Sequence, residues 1–162
     1  MTGIFYGSTT GTTESVAAKI AARLGIADGD VYNVASADAG AAKNYDLLLL
    51  GTSTWGCGEL QDDWYGFLEA LGREDLSGKR IALFGCGDSS SYPDTFCDAM
   101  AEIRDALEAS GCTFVGTLDA ALYGGCRSRI LRDGRIIGLA VDDSAPQTEN
   151  DARTERWIAS VV

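Results

Sequence analysis

Apolar residues fall along this chain in two alternating rhythms. Unbroken runs occur at Ile4-Phe5-Tyr6, at Tyr45 to Gly51 and at Arg80-Ile81-Ala82-Leu83-Phe84, with shorter ones near Val31 to Val34 and Cys112 to Val115. Between them, apolar positions recur at helical spacing: Val16, Ala17, Ile20 and Leu24; Trp64, Phe67, Leu68 and Leu71; Phe96, Met100, Ile103 and Leu107; Trp157, Ile158 and Val161. Runs of the first kind predict strands covered on both faces, and spacings of three and four predict amphipathic helices. Strand and helix in alternation predict an α/β fold, a doubly wound five-stranded parallel sheet with helices on both faces.

Local signals set the boundaries. The first strand spans about Gly3 to Tyr6, and the first helix runs from Thr13 to Leu24 and stops at Gly25. Ser36 to Ala42 reads as a weak helix or loop. The second helix carries Asp62 and Asp63 in its first turn, where carboxylates suit the helix dipole, and has Gly72 after its end. The third ends at Gly111. The last opens with Thr148-Glu149-Asn150-Asp151, at capping-box spacing with Asp as the distal residue. A second apolar run, Ile136 to Val141, follows a Gly- and Arg-containing span, Tyr123 to Gly134. With 162 residues and no repeat or linker, one domain over 1–162 is expected.

Ligands of open α/β sheets bind outside the carboxyl ends of the strands. Three polar, Gly-containing loops leave such ends here: Ser8 to Thr13, Thr52 to Glu59 and Gly85 to Asp94. The first lies within Gly7-Ser8-Thr9-Thr10-Gly11-Thr12-Thr13-Glu14, where five of eight residues carry hydroxyls. It precedes a helix whose first amides lack partners, which makes it an anion site. It has no Lys or Arg, and Thr12 stands where a nucleotide triphosphate loop places its Lys. That favours a phosphate monoester over ATP; taken alone, the stretch is equally a Thr-capped turn. The second loop carries Trp55 and the third Tyr92. Two ring platforms beside a phosphate site suit a planar phosphorylated heterocycle, each stacked face contributing ~1–3 kcal/mol. Flavin mononucleotide (FMN) has that shape.

Charge and cysteine usage narrow the classes. Thirteen Lys and Arg against 24 Asp and Glu, with no His, give a net charge of −11. This argues against nucleic acid and anionic membrane surfaces and suits basic protein partners. Five Cys with no C-x-x-C pair read as reduced thiols in the cytoplasm, and with no His they argue against zinc or iron–sulfur sites. Met1 to Gly7 shows no signal-peptide pattern, and the longest apolar run, Leu47 to Leu50, is far too short to span a bilayer.

Together these motifs resemble the flavodoxins. Gly7 to Glu14 is similar to their phosphate loop, Gly51-Thr52-Ser53-Thr54-Trp55-Gly56-Cys57-Gly58-Glu59-Leu60-Gln61 to their Trp loop, and Gly85-Cys86-Gly87-Asp88 with Tyr92 and Phe96 to their Tyr loop. The interruption at about Leu118 to Ile137 resembles the long-chain branch, and the Gly-Cys-Gly-Asp-Ser-Ser start of the third loop the short-chain branch. The resemblance implies strand order 2-1-3-4-5 with the fifth strand interrupted, and non-covalent FMN. Ser8, Thr9, Thr10, Gly11, Thr12 and Thr13, with Thr54, would hold the phosphate; Trp55 and Tyr92 would flank the ring. Backbone groups of Gly56, Cys57, Gly87, Asp88 and Cys97 would contact its polar edge. After the last strand the family often has Asp-x-Asp-Asn-Gln, whereas this chain has Asp142-Asp143-Ser144-Ala145-Pro146-Gln147.

The implied function is a low-potential one-electron carrier, not an enzyme, shuttling between semiquinone and hydroquinone. It would act as a monomer with redox partner proteins. A flavodoxin-fold NAD(P)H:quinone reductase is the alternative. The carbonyl of Gly56 is expected to turn toward flavin N5 on reduction. Glu59, Asp62, Asp63, Asp88 and Asp94 are expected to oppose the anionic reduced ring and lower the second potential by on the order of 100 mV.

Overall fold

The computed structural model describes all 162 residues, Met1–Val162. Leu47, Leu48, Leu49 and Leu50 are buried almost completely, as a strand covered on both faces requires. They belong to β3 (Leu47–Trp55), the centre of the sheet. In chain order the other strands are β1 (Thr2–Gly7), β2 (Val31–Asn33), β4 (Glu59–Leu60), β5 (Arg80–Gly87), β6 (Thr113–Val115), β7 (Leu118–Asp119), β8 (Leu131–Arg132), β9 (Arg135–Ile136) and β10 (Gly138–Asp142). The helices are α1 (Thr12–Leu24), α2 (Trp64–Gly72), α3 (Asp98–Leu107) and α4 (Gln147–Val161). Strand order across the sheet is β2-β1-β3-β5-β10, and these neighbours run parallel. Helices α1 and α4 pack together on one face, and α2 and α3 on the other.

The fifth strand comes in two pieces. β6 pairs with the first half of β5 (Arg80↔Thr113 to Ala82↔Val115) and β10 with the second half (Leu83↔Gly138 to Gly87↔Asp142). The intervening span folds outward as a small antiparallel sheet, β7-β9-β8. The interruption therefore lies where the sequence placed it, and the expected order 2-1-3-4-5 holds. Tyr123, in a 3₁₀ turn of this span, returns to β10: its hydroxyl donates to the Ala140 carbonyl (2.8 Å) and accepts from the Ala140 amide (3.0 Å).

Several boundaries differ from expectation. Asp62 and Asp63 precede α2, and Gly72 is its last residue. Phe96 precedes α3. Ala39–Asn44 forms a 3₁₀ segment capped by Asp38, whose carboxylate accepts from the Gly40 amide. The capping box of α4 does not form: the helix starts earlier, after Pro146, without a side-chain cap. Asn150 is drawn elsewhere, its side-chain amide pairing with both the N–H (3.0 Å) and the carbonyl (2.8 Å) of Asp142.

Replacing Tyr123 by Phe removes both bonds to Ala140 and leaves a buried amide and carbonyl without partners. We expect a loss of about 2 kcal/mol in urea unfolding. An unchanged midpoint would show that the phenol does not hold the interrupted strand in place.

Candidate functional site

The site is built at the carboxyl ends of β1, β3, β5 and β10. β1 ends at Gly7, where a side chain is impossible: a Cβ would lie 2.3 Å from Oε1 of Gln61 and 2.6 Å from Cδ1 of Trp64. Gly11, at φ +92°, turns the chain into α1, and its amide donates to Ser8 Oγ (3.0 Å). Thr13 is fully buried at the start of α1, and its hydroxyl has no hydrogen-bond partner. Cys86 approaches closely enough for that hydroxyl to influence its thiol, but the pair falls outside hydrogen-bond geometry. An unpaired buried hydroxyl costs about 1–3 kcal/mol.

Gln61 ties this loop to the next. Its Nε2 donates to Thr9 Oγ1 (3.1 Å) and to Asp63 Oδ2 (2.7 Å), its Oε1 accepts from the Asp63 amide, and its own amide reaches Thr52 Oγ1 (3.4 Å). Motif spacing gave Gln61 no role, because its link to Thr9 spans 52 residues.

The second loop is shorter than Thr52 to Glu59. β3 continues to Trp55 and pairs with β4 in a hairpin, Thr54↔Leu60 and Trp55↔Glu59. The turn closes with the Gly58 amide donating to the Trp55 carbonyl (3.2 Å). Gly56 sits at φ +52°, a conformation costly for a β-branched residue. The indole of Trp55 is 41% exposed and donates to Ser53 Oγ (3.0 Å).

The third loop begins at Gly87 and is wound around two carboxylates. Asp88 accepts from the amides and hydroxyls of Ser90 and Ser91, which hold its pKa below the ordinary range. Asp142, at the end of β10, accepts from the amides and hydroxyls of Ser89 and Ser144. Burial alone would raise Asp142, but those bonds outweigh it and hold the carboxyl low. Asp143 moves the other way, raised by partial burial and by the charges of Asp88 and Asp142.

A cleft of about 210 Å³ opens where these segments meet. It brings together Thr10, Thr12, Thr54, Trp55, Gly56, Gly87, Asp88 and Tyr92, with Ser53, Cys86 and Asp143 beside them. Tyr92 is half exposed. The other predicted residues do not line it. Ser8 Oγ is occupied by the Gly11 amide, Thr9 by Gln61, and Thr13 lies beneath the loop. Cys57 is exposed at the hairpin tip, and Cys97 is buried, with its Sγ packed behind Gly87. Burial pushes the Cys86 thiol up to about 12. Asp94 and Asp62 are exposed outside the cleft, and Asp94 faces Arg127 (3.2 Å).

The Asp142 cluster makes the Tyr92 loop sensitive to acid. A carboxyl held below its unfolded pKa stabilises fully above that value, and the contribution disappears as pH falls through the folded pKa. Asp142→Asn should therefore cost about 1.5–3 kcal/mol at neutral pH, with the gap to the parent closing below about pH 3.9. Thermal unfolding across pH measures this; a gap independent of pH would mean that the charge of Asp142 is irrelevant.

A family model described as Flavodoxin matches residues 4–157. Flavodoxin 1 of Salmonella typhimurium is 42% identical over an alignment of 162 positions that covers 99% of this chain and 92% of that protein. The flavodoxin of Klebsiella pneumoniae is 43% identical over the same span, again 99% and 92%. Among solved structures, Fusobacterium nucleatum flavodoxin bound to flavin mononucleotide superposes with a TM-score of 0.86 at 28% identity, covering 98% of this chain and 94% of that one. With three loops converging on one cleft and relatives matched almost end to end, the chain belongs to the flavodoxin family of electron carriers, which are not enzymes.

Proposed function

We propose that the chain binds FMN non-covalently and passes single electrons between protein partners. The observation that carries this reading is the cleft that brings Thr10, Thr12 and Thr54 together with Trp55 and Tyr92, beside a loop that has no cation. Neutral amides and hydroxyls of that kind are what a phosphate monoester needs. Ser8, Thr9, Thr10, Gly11, Thr12 and Thr13, with Thr54, are the residues that would hold it. Trp55 and Tyr92, on two walls of the cleft, would flank the ring, and backbone groups of Gly56, Cys57, Gly87, Asp88 and Cys97 would face its polar edge.

Bound FMN supplies one-electron redox chemistry; the chain sets its potential. The backbone at Gly56, already at positive φ, is free to turn its carbonyl toward a protonated ring nitrogen without steric cost. Asp88 and Asp143 line the cleft, and Glu59 lies beside Gly56. These carboxylates oppose added negative charge and favour a low potential. Asp143 thus takes the part expected of Asp94, which is engaged with Arg127. Two aromatic walls favour a carrier over an NAD(P)H:quinone reductase, which needs an open ring face.

No helix is long and apolar enough to cross a membrane. We place the protein in the cytosol, as a monomer whose net charge of −11 steers it to basic partner surfaces in a salt-dependent manner.

Three measurements test this reading. During stepwise anaerobic reduction, the FMN-loaded protein should accumulate a long-lived half-reduced form; direct two-electron bleaching would sink the carrier reading. Thr13→Val should weaken FMN binding by at least about tenfold, ~1.4 kcal/mol, while the melting temperature of the apoprotein holds or rises. Equal affinity would remove Thr13 from the phosphate site. Gly56→Val should reduce the half-reduced share, and an unaltered share would dismiss the role of this turn.

A further inference from the structure

The stretch from Ser8 to Gly11 belongs to neither β1 nor α1, and little holds it to the rest of the molecule. Ser8 Oγ accepts from the Gly11 amide, a bond within the stretch itself. The Gly11 carbonyl accepts from the Ser15 amide, at the opening of α1. A single hydrogen bond joins these four residues to a distant segment: Gln61 Nε2 donates to Thr9 Oγ1 (3.1 Å).

The donor of that bond has little freedom. Gln61 is 1% exposed. Its Oε1 accepts from the Asp63 amide (3.1 Å), which turns Nε2 toward Thr9 and toward Asp63 Oδ2 (2.7 Å). Both hydrogens of the side-chain amide are therefore committed. The backbone N–H of Gln61 points to Thr52 Oγ1 (3.4 Å), on β3. Gly7 leaves the room this side chain needs, since a Cβ there would lie 2.3 Å from Oε1. Thr9, by contrast, is exposed, so Gln61 is the fixed end of the pair and Thr9 the held end. The bond takes a lone pair of Thr9 and leaves its hydroxyl hydrogen as a donor.

We infer that Gln61 is a positioning residue for the phosphate loop: through Thr9 it holds the loop in the shape that receives the phosphate of FMN. This role rests on the FMN reading of the cleft and adds the group that keeps the loop ready. With Gln61 removed, a short stretch ending in a glycine at positive φ has no tether to another segment and samples further shapes. Apparent affinity then falls with the share of molecules in the binding shape. The loss is confined to the part of the ligand that the loop meets, because Trp55 and Tyr92 lie in other segments of the cleft.

Riboflavin separates the two parts: it carries the ring and ribityl chain of FMN without the phosphate. The test is the affinity of the full-length apoprotein for each flavin, titrated by fluorescence in phosphate-free buffer. In Gln61→Met, which keeps the bulk and removes the donor, the Kd for FMN should rise at least about tenfold while that for riboflavin stays within about twofold. Thr9→Val cuts the same bond from its exposed end. Adding Gln61→Met to Thr9→Val should cost no further affinity, as for two changes within one interaction. If Gln61→Met does not fold, Gln61→Glu carries the same expectation, because it keeps the shape and replaces the donor facing Thr9 with a carboxylate oxygen. An unchanged FMN affinity overturns the proposal. So do equal losses for both flavins, which would mark a general loss of structure, and a further loss in the double variant, which would mean that Gln61 acts without Thr9. A parent protein that binds FMN no more tightly than riboflavin overturns the phosphate site itself, and this role with it.

Discussion

The pairing of β3 with β5, strand on strand in parallel, is the constraint from which the rest of the molecule follows. Seven consecutive residues of each are in register, Leu47↔Arg80 to Ser53↔Cys86. Parallel neighbours must all leave the sheet at the same edge, and each then needs a crossover helix to return. Three hydroxyl- and glycine-rich loops therefore arrive at one edge without any further device. Burial on both faces fixes the base of that edge: Phe84 and Leu50 are fully enclosed.

What could be read from sequence follows the range over which each signal acts. The strands, the helices and the three loops are local patterns of hydrophobicity and turn chemistry, and they fall in the expected order with some of their ends shifted. The split fifth strand was visible because its two apolar runs flank a polar span. Gln61, Ser53 and Asp143 were not visible as members of the site. Gln61 and Asp143 join it through neighbours that only the fold brings near, such as Thr9 to Gln61 across 52 residues. The capping box of α4 failed because the helix already begins at Gln147, which places Thr148 and Asp151 inside it. Several predicted phosphate residues are engaged within the protein, so the loop does not present a row of free hydroxyls.

The inserted span repeats this lesson in its charges. Four arginines within nine residues suggest a basic surface, but the structure assigns most of them to internal work. Arg129 bridges Glu102 and Asp105, Arg132 also reaches Asp105, and Arg135 binds Thr117. Each surface pair contributes about 0–1 kcal/mol, yet together they hold the small β7-β9-β8 sheet against α3. The span is a fitted attachment, and its contact with the Tyr92 loop through Arg127 and Asp94 places it beside the cofactor cleft without entering it.

The phenol of Tyr123 has a consequence beyond the strand it touches. β10 lies at the border of the sheet, and a border strand with free amides and carbonyls is a template on which a second copy of the chain can add its own strand. By occupying both polar groups of Ala140 with one side chain, the molecule closes that template at its midpoint. A further strand arriving at that border finds no backbone donor or acceptor free at Ala140.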